Sequence, residues 1–112
     1  MSKMQRDKGA QFERDVRNAF VKAGFPEAER NLNDKTDGRG VDVEAGTLAI
    51  QCKRYKKMPS TSFIKEVKDG TRFPALVGRG DNEKATITLY LKDFLAIAQD
   101  VGLLYNYDPP PF

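Results

Sequence analysis

Apolar residues recur at helical spacing near the start of the chain. Phe12, Val16, Ala19, Phe20 and Ala23 mark a helix over residues 7–24, and Gly24 with Phe25-Pro26 ends it. Residues 27–32 read as a short, edge-like strand, and 33–40 (NDKTDGRG) as a loop by composition. The pattern then changes to alternation. Residues 41–44 and 47–53 form two strands around a tight Ala45-Gly46 turn. Pro59 and the Ser-Thr-Ser run after it supply helix-start chemistry for a helix over 61–72, with Phe63, Ile64 and Val67 facing inward. Strands at 75–78 and 85–91 follow, joined through the turn at 79–82 (RGDN). A last helix over 92–101 carries Phe94, Leu95, Ile97 and Ala98. The order α-β-β-β-α-β-β-α defines an α/β chain with a mixed central sheet flanked by helices.

The central hairpin raises a chemical question. With Ala45-Gly46 as its turn, Asp42 faces Ala49 and Val41 faces Ile50. The two-residue period then gathers Val41, Val43, Leu48, Ile50 and Cys52 on one apolar face. Asp42, Glu44, Ala49, Gln51 and Lys53 take the other. Asp42 and Gln51 become diagonal neighbours, roughly 7–8 Å apart at the backbone, so one ion is within reach of both. A slip of one residue would mix the two faces. The plain alternative is a polar face turned to water. Against it, a hairpin in the middle of an α/β chain is expected to be covered, where a lone Asp or Lys is costly.

Composition narrows the chemistry. The 112 residues suit one domain, expected over 1–102, with a Pro- and aromatic-rich tail over 103–112. Charged residues make up 31% and apolar ones 39%, the balance of a folded chain rather than a disordered one. The net charge of +3 is small, but Lys and Arg concentrate in 53–57 and near the N-terminus, which favours a local polyanion-binding surface. A single cysteine excludes an internal disulfide framework. The absence of histidine excludes Ser-His-Asp and Cys-His catalysis and Cys/His zinc sites. Carboxylates, amides, lysines and a hard cation remain. No apolar run suits a signal peptide or membrane span, so a cytoplasmic protein with no membrane partner is expected.

The run GVDVE, a short turn and LAIQCKRY (residues 40–44 and 48–55) resembles the metal-binding core of the PD-(D/E)xK nuclease superfamily. It is most similar to the Q-x-K variant found in Mrr-type endonucleases, and resembles the core of archaeal and phage Holliday-junction resolvases. The opening helix GAQFERDV (9–16) resembles the first helix of these nucleases, which often carries a metal-associated Glu, here Glu13. The resemblance covers most of residues 8–101 and implies a restriction-endonuclease-like three-layer core.

It also implies roles. Asp42 is the anionic ligand of Mg²⁺ or Mn²⁺, Gln51 adds its amide oxygen and Cys52 its backbone carbonyl, since hard cations accept neutral oxygens. Lys53 orients or deprotonates the attacking water and stabilises charge on the phosphoryl group. Glu13 lies at the edge of the helix's apolar stripe, where it either leans over the sheet or pairs with Arg17 four residues on. Glu44 is either a further ligand or a surface residue, and Asp37 either approaches the metal or serves its turn. The Cys52 side chain is a small core residue.

Arg54, Tyr55, Lys56 and Lys57 leave the strand beside this site. They are either a solvated charge run or a surface that neutralises phosphates, with Tyr55 packing on sugar or base. Lys65 and Lys68 extend such a track, and Arg79, Arg6 and Lys8 are further candidates. No base-reading module is recognisable. The expected activity is therefore metal-dependent hydrolysis of DNA, selective for structure in the manner of a junction resolvase. A branched substrate needs paired cuts, which makes a homodimer the natural form, with the 103–112 tail as a candidate interface. The other readings are an Mrr-like nuclease, a nuclease fold that binds nucleic acid without cutting, and an interaction module.

Overall fold

A computed structural model describes residues 2–100, so the tail at 103–112 lies outside the described residues. Helix α1 (Lys3–Lys22) leads to β1 (Glu29–Arg30), a four-residue helix α2 (Asp34–Asp37), β2 (Val43–Ala45) and β3 (Leu48–Arg54). A 3₁₀ helix (Thr61–Glu66), β4 (Phe73–Arg79), β5 (Thr86–Leu89) and α3 (Leu91–Asp100) complete it. The five strands form one mixed sheet in the order β1-β2-β3-β4-β5. The β3–β4 pair is parallel, with the 3₁₀ helix in its crossover, and the other pairs are antiparallel. This is the α/β arrangement that the element order predicts, with the short α2 added in the loop. Among the described residues no helix is long and apolar enough to cross a membrane.

The first helix begins earlier than its apolar stripe. Ser2 Oγ accepts from Gln5 N and Gln5 Oε1 accepts from Ser2 N, a reciprocal cap that lets the chain turn helical at once. Phe12 and Val16 then pack on Val43, Ala45, Leu48, Ile50, Cys52, Ala75 and Val77, and Ile97 of α3 joins the same cluster. Burial of these side chains is the main force holding helix to sheet.

The hairpin turn falls one residue later than expected, at Gly46-Thr47. Ala45 pairs with Leu48, Glu44 with Ala49 and Val43 with Ile50. Gly46 adopts φ +55°, and the Phe25 ring sits 3.1 Å from where a Cβ would project, so glycine suits the first turn position. The shift is two residues in register, so the face assignments of β3 survive. Continued one step further, the ladder would set Asp42 directly across from Gln51.

That step is broken at Asp42, which lies just outside β2. Its N–H donates to Ile50 O (2.7 Å) and its carbonyl accepts from Asn31 N (2.8 Å), while Asn31 Nδ2 donates to Val41 O (2.8 Å). The bend reverses the expectation for Val41. Instead of joining Val43, it is buried on the opposite face with Ala49 and Val67.

The expected helix over 61–72 is only a 3₁₀ helix, capped by Ser60 Oγ on Ser62 N and ending at Glu66. Local polar bonds end it. Lys68 N donates to Arg39 O (2.7 Å), and the Asp69 carboxylate accepts from Thr71 N and Arg72 N (2.8 Å each). At Gly40, φ is +70°, and a Cβ there would run into the Glu66 carbonyl oxygen. The loop before Asp42 is thereby pressed against the end of the 3₁₀ helix.

Candidate metal centre and nucleic-acid surface

The Asp42 carboxylate accepts a hydrogen bond from Cys52 N at 2.8 Å. This places it against the peptide that joins Gln51 to Cys52. Burial lifts the Asp42 pKa to about 7, the Cys52 N–H opposes the rise, and the carboxylates of Glu13 and Asp34 add to it. Such a group is short of positive charge, because each of these neighbours is either neutral or an acid.

Gln51 and Lys53 project from the other face of β3, toward the 3₁₀ helix, so the common face expected for them and Asp42 is not formed. The bend sets Asp42 beside Cys52 N, Glu13 and Asp34, while Gln51 and Lys53 meet Glu66. Gln51 is 5% exposed, and its Nε2 donates to Glu66 Oε1 at 2.9 Å. Its Oε1 is buried and has no hydrogen-bond partner. The orientation of the amide follows from the acceptor: turned over, it would set a carbonyl oxygen against a carboxylate. Lys53 Nζ lies 3.8 Å from the same Glu66 oxygen and 4.8 Å from the centroid of the Phe63 ring. Glu66 is the polar partner common to both residues. The sequence does not single it out, because the apolar positions of 61–72 predict a regular helix and say nothing of where a lone Glu points. The signal available was a lone Glu beside the inward-facing Phe63, Ile64 and Val67.

The remaining candidate acids have partners of their own. Glu13 reaches Arg30 of β1 (3.1 Å) rather than Arg17, whose Nε donates to Asn18 Oδ1. Glu44 is held by Arg72 (2.8 Å) and Arg39 (3.6 Å). Arg39 also binds Asp37 (3.1 Å) and Asp69 (2.7 Å). Asp37 is held below the usual carboxylate range, first by the Arg39 N–H and then by the Asn31 amide. Cys52 is buried among core residues, and burial together with the Asp42 and Glu13 charges raises its thiol pKa, so it stays protonated. Its backbone, not its sulfur, meets Asp42.

The basic residues divide into two sets. The Arg54 side chain is only 13% exposed and pairs with Asp81 (2.8 Å), which also takes Lys8 from α1 (2.8 Å). Arg79 Nε donates to Glu83 O. By contrast, Lys56, Lys57, Lys65 and Lys68 are exposed, and none has an ion-pair partner among the described residues. Tyr55 is exposed, with its ring 5.8 Å from Phe63 and tilted against it.

Among the described residues, no three His, Cys, Asp or Glu side chains converge on one point as a metal cluster. Two oxygen donors here are left without a cationic partner among the described residues, the Gln51 amide oxygen and the Asp42 carboxylate. The donor set fits a hard ion in two respects. Gln51 Oε1 is a buried oxygen without a partner, and Asp42 is a buried acid whose carboxylate neighbours favour positive charge. No family model, curated protein or solved structure matches the chain.

Proposed function

We propose that this protein is a metal-dependent endonuclease that hydrolyses phosphodiester bonds in DNA, with a preference for branched structures and a homodimer as its working form. The observation that carries the reading is the orphaned oxygen of Gln51, whose own peptide link to Cys52 is bound by the Asp42 carboxylate. A buried acceptor without a donor costs on the order of 1–3 kcal/mol, a cost that a bound cation removes.

Asp42, Gln51 Oε1 and the Cys52 carbonyl would hold Mg²⁺ or Mn²⁺. The ion, when bound, polarises the phosphoryl group and lowers the pKa of water. The protein's own part is positional. Asp42 is fixed by Cys52 N, so its carboxylate stays in place without the ion. Lys53 is steadied between Glu66 and Phe63, where its ammonium can donate to a phosphate oxygen as negative charge grows. Lys56, Lys57, Lys65 and Lys68 offer unpaired charge to the flanking phosphates, and the exposed Tyr55 ring offers a face to sugar or base.

The test is to titrate Mg²⁺ and Mn²⁺ while measuring cleavage of four-way-junction and linear DNA by wild type and Lys53→Ala. Metal-dependent junction cleavage by wild type, at least a hundredfold slower in the variant with DNA binding retained, is expected. Equal inactivity of both proteins at every metal concentration, with both bound to DNA, would show a binding protein on this fold instead.

A further inference from the structure

The motif that the chain resembles usually has an acid where Gln51 stands, and the chain has a carboxylate close by that sequence order does not reveal. We propose that Glu66, reaching in from the 3₁₀ helix, is a positioning residue that restores to the site the negative charge position 51 lacks. It does so by orienting Gln51 and by balancing Lys53. The inference rests on the metal-site reading given above.

Two contacts meet on one atom, and a third observation concerns the other end of the amide it binds. Glu66 Oε1 accepts from Gln51 Nε2 at 2.9 Å and lies 3.8 Å from Lys53 Nζ. Gln51 Oε1 is buried and partnerless. These are linked by chemistry. A carboxylate accepts only, so it selects the amide rotamer whose nitrogen faces the 3₁₀ helix and whose oxygen faces away from it. A free Gln would have no reason to keep its oxygen turned toward a place without donors. Glu66 therefore supplies the rotamer in which Gln51 can act as an oxygen ligand.

Charge gives the second argument. On the side of β3 that carries Gln51, the Lys53 ammonium opposes an arriving dication, and Glu66 Oε1 stands 3.8 Å from that ammonium. Glu66 changes the charge on that side by one unit. It is 52% exposed and screened by water, so it tunes the site rather than closing it. Its place is guarded by backbone. Gly40 packs against the Glu66 carbonyl so closely that no side chain fits, and Lys68 N is tied to Arg39 O immediately after it. The loop that delivers Asp42 and the turn that delivers Glu66 are thus locked together.

The two parts of the proposal are separated by a pair of variants. In Glu66→Gln the new amide oxygen can still accept from Gln51 Nε2, but the charge is gone. In Glu66→Ala both are lost. Mn²⁺ affinity, read by calorimetry on the metal-free protein, should fall several-fold in the first and about tenfold or more in the second, the usual scale for groups that orient a ligand. Independently of metal, the side-chain ¹H–¹⁵N resonances of Gln51 should differ between wild type and Glu66→Gln, and should lose their separation from bulk-like amides in Glu66→Ala, where no acceptor remains. Circular dichroism confirms that each variant is folded.

Wild-type Mn²⁺ binding with unchanged affinity in both variants would overturn the role of Glu66 and leave the nuclease reading standing. Failure of wild type to bind Mn²⁺ at all would overturn the reading of the site, and this proposal with it. Gln51 resonances blind to Glu66 would remove the orientation argument whatever the metal result.

Discussion

The carboxylate of Asp42 and the backbone N–H of Cys52 meet at 2.8 Å, and that contact decides what kind of site this chain can build. A strand residue normally offers its backbone to the ladder and its side chain to a face. Asp42 instead sits at a bend, with its backbone shared between Ile50 and Asn31 and its side chain bonded across to β3. The acid is thereby held in a buried place near two other acids.

That placement predicts an unusual dependence of stability on pH. Folding raises the Asp42 pKa from 3.8 to about 7, so between those values the folded chain holds a proton that the unfolded chain has released. The slope of unfolding free energy with pH is negative in that window, and this group's contribution to stability is lost as pH rises through it. Asp42→Asn should therefore be more stable than wild type at pH 8, by on the order of 2 kcal/mol, with the difference fading toward pH 4. Urea unfolding at pH 4, 6 and 8 measures it. Added Mg²⁺ should raise the wild-type midpoint at pH 8 and leave the Asn variant unmoved. A wild type that is the more stable protein at pH 8 without metal would show that burial does not destabilise the ionised Asp42.

Glu44 is expected to matter for folding and not for metal. It is engaged by Arg72 and Arg39, which also share Asp69, an acid whose side chain is 3% exposed. Asp69→Ala strips partners from Thr71 N, Arg72 N and Arg39 and should cost ~2–3 kcal/mol. Glu44→Gln should lower the thermal midpoint by a few degrees while leaving Mn²⁺ affinity within twofold of wild type. A tenfold loss of affinity would return Glu44 to the ligand set.

Gly40→Ala probes the lock between the Asp42 loop and the 3₁₀ helix. The positive φ and the collision with the Glu66 carbonyl act together, so a loss of ~2 kcal/mol or more is expected. Gly38 also has positive φ but open space around it, so Gly38→Ala should cost less than Gly40→Ala.

Asp81 holds two cations that a polyanion would otherwise attract. Lys8 and then Arg54 keep its carboxyl well below the usual range. Asp81→Asn should release both, strengthen DNA binding at low salt severalfold, and steepen the fall of affinity with salt. Fluorescence anisotropy across a salt series reads both effects. An unchanged slope would confine Arg54 and Lys8 to a structural role.

Much of this was legible in the sequence, for identifiable reasons. The alternation of β3 survived a misplaced turn because a two-residue register shift keeps every side chain on its face. The α1 stripe named Phe12 and Val16 correctly because burial of an amphipathic helix leaves a strong period. What could not be read was long-range and polar. The bend that sends Val41 to the opposite face depends on Asn31, eleven residues before Asp42. The pairing of Glu13 with Arg30, of Arg54 with Asp81, and of Gln51 with Glu66 all cross between elements, where no local periodicity reports them. The shortened second helix was missed because Asp69 ends it through side-chain bonds to Thr71 and Arg72 that helix propensity does not anticipate.

In the proposed site, Asp42 and the free oxygen of Gln51 share a divalent cation. The most direct measurement is anomalous diffraction from a crystal soaked in Mn²⁺ at pH 8. A single strong peak is expected within coordination distance of an Asp42 carboxylate oxygen and of Gln51 Oε1. No peak there, with Gln51 Oε1 bound to water and Lys53 turned to solvent, would contradict the shared site.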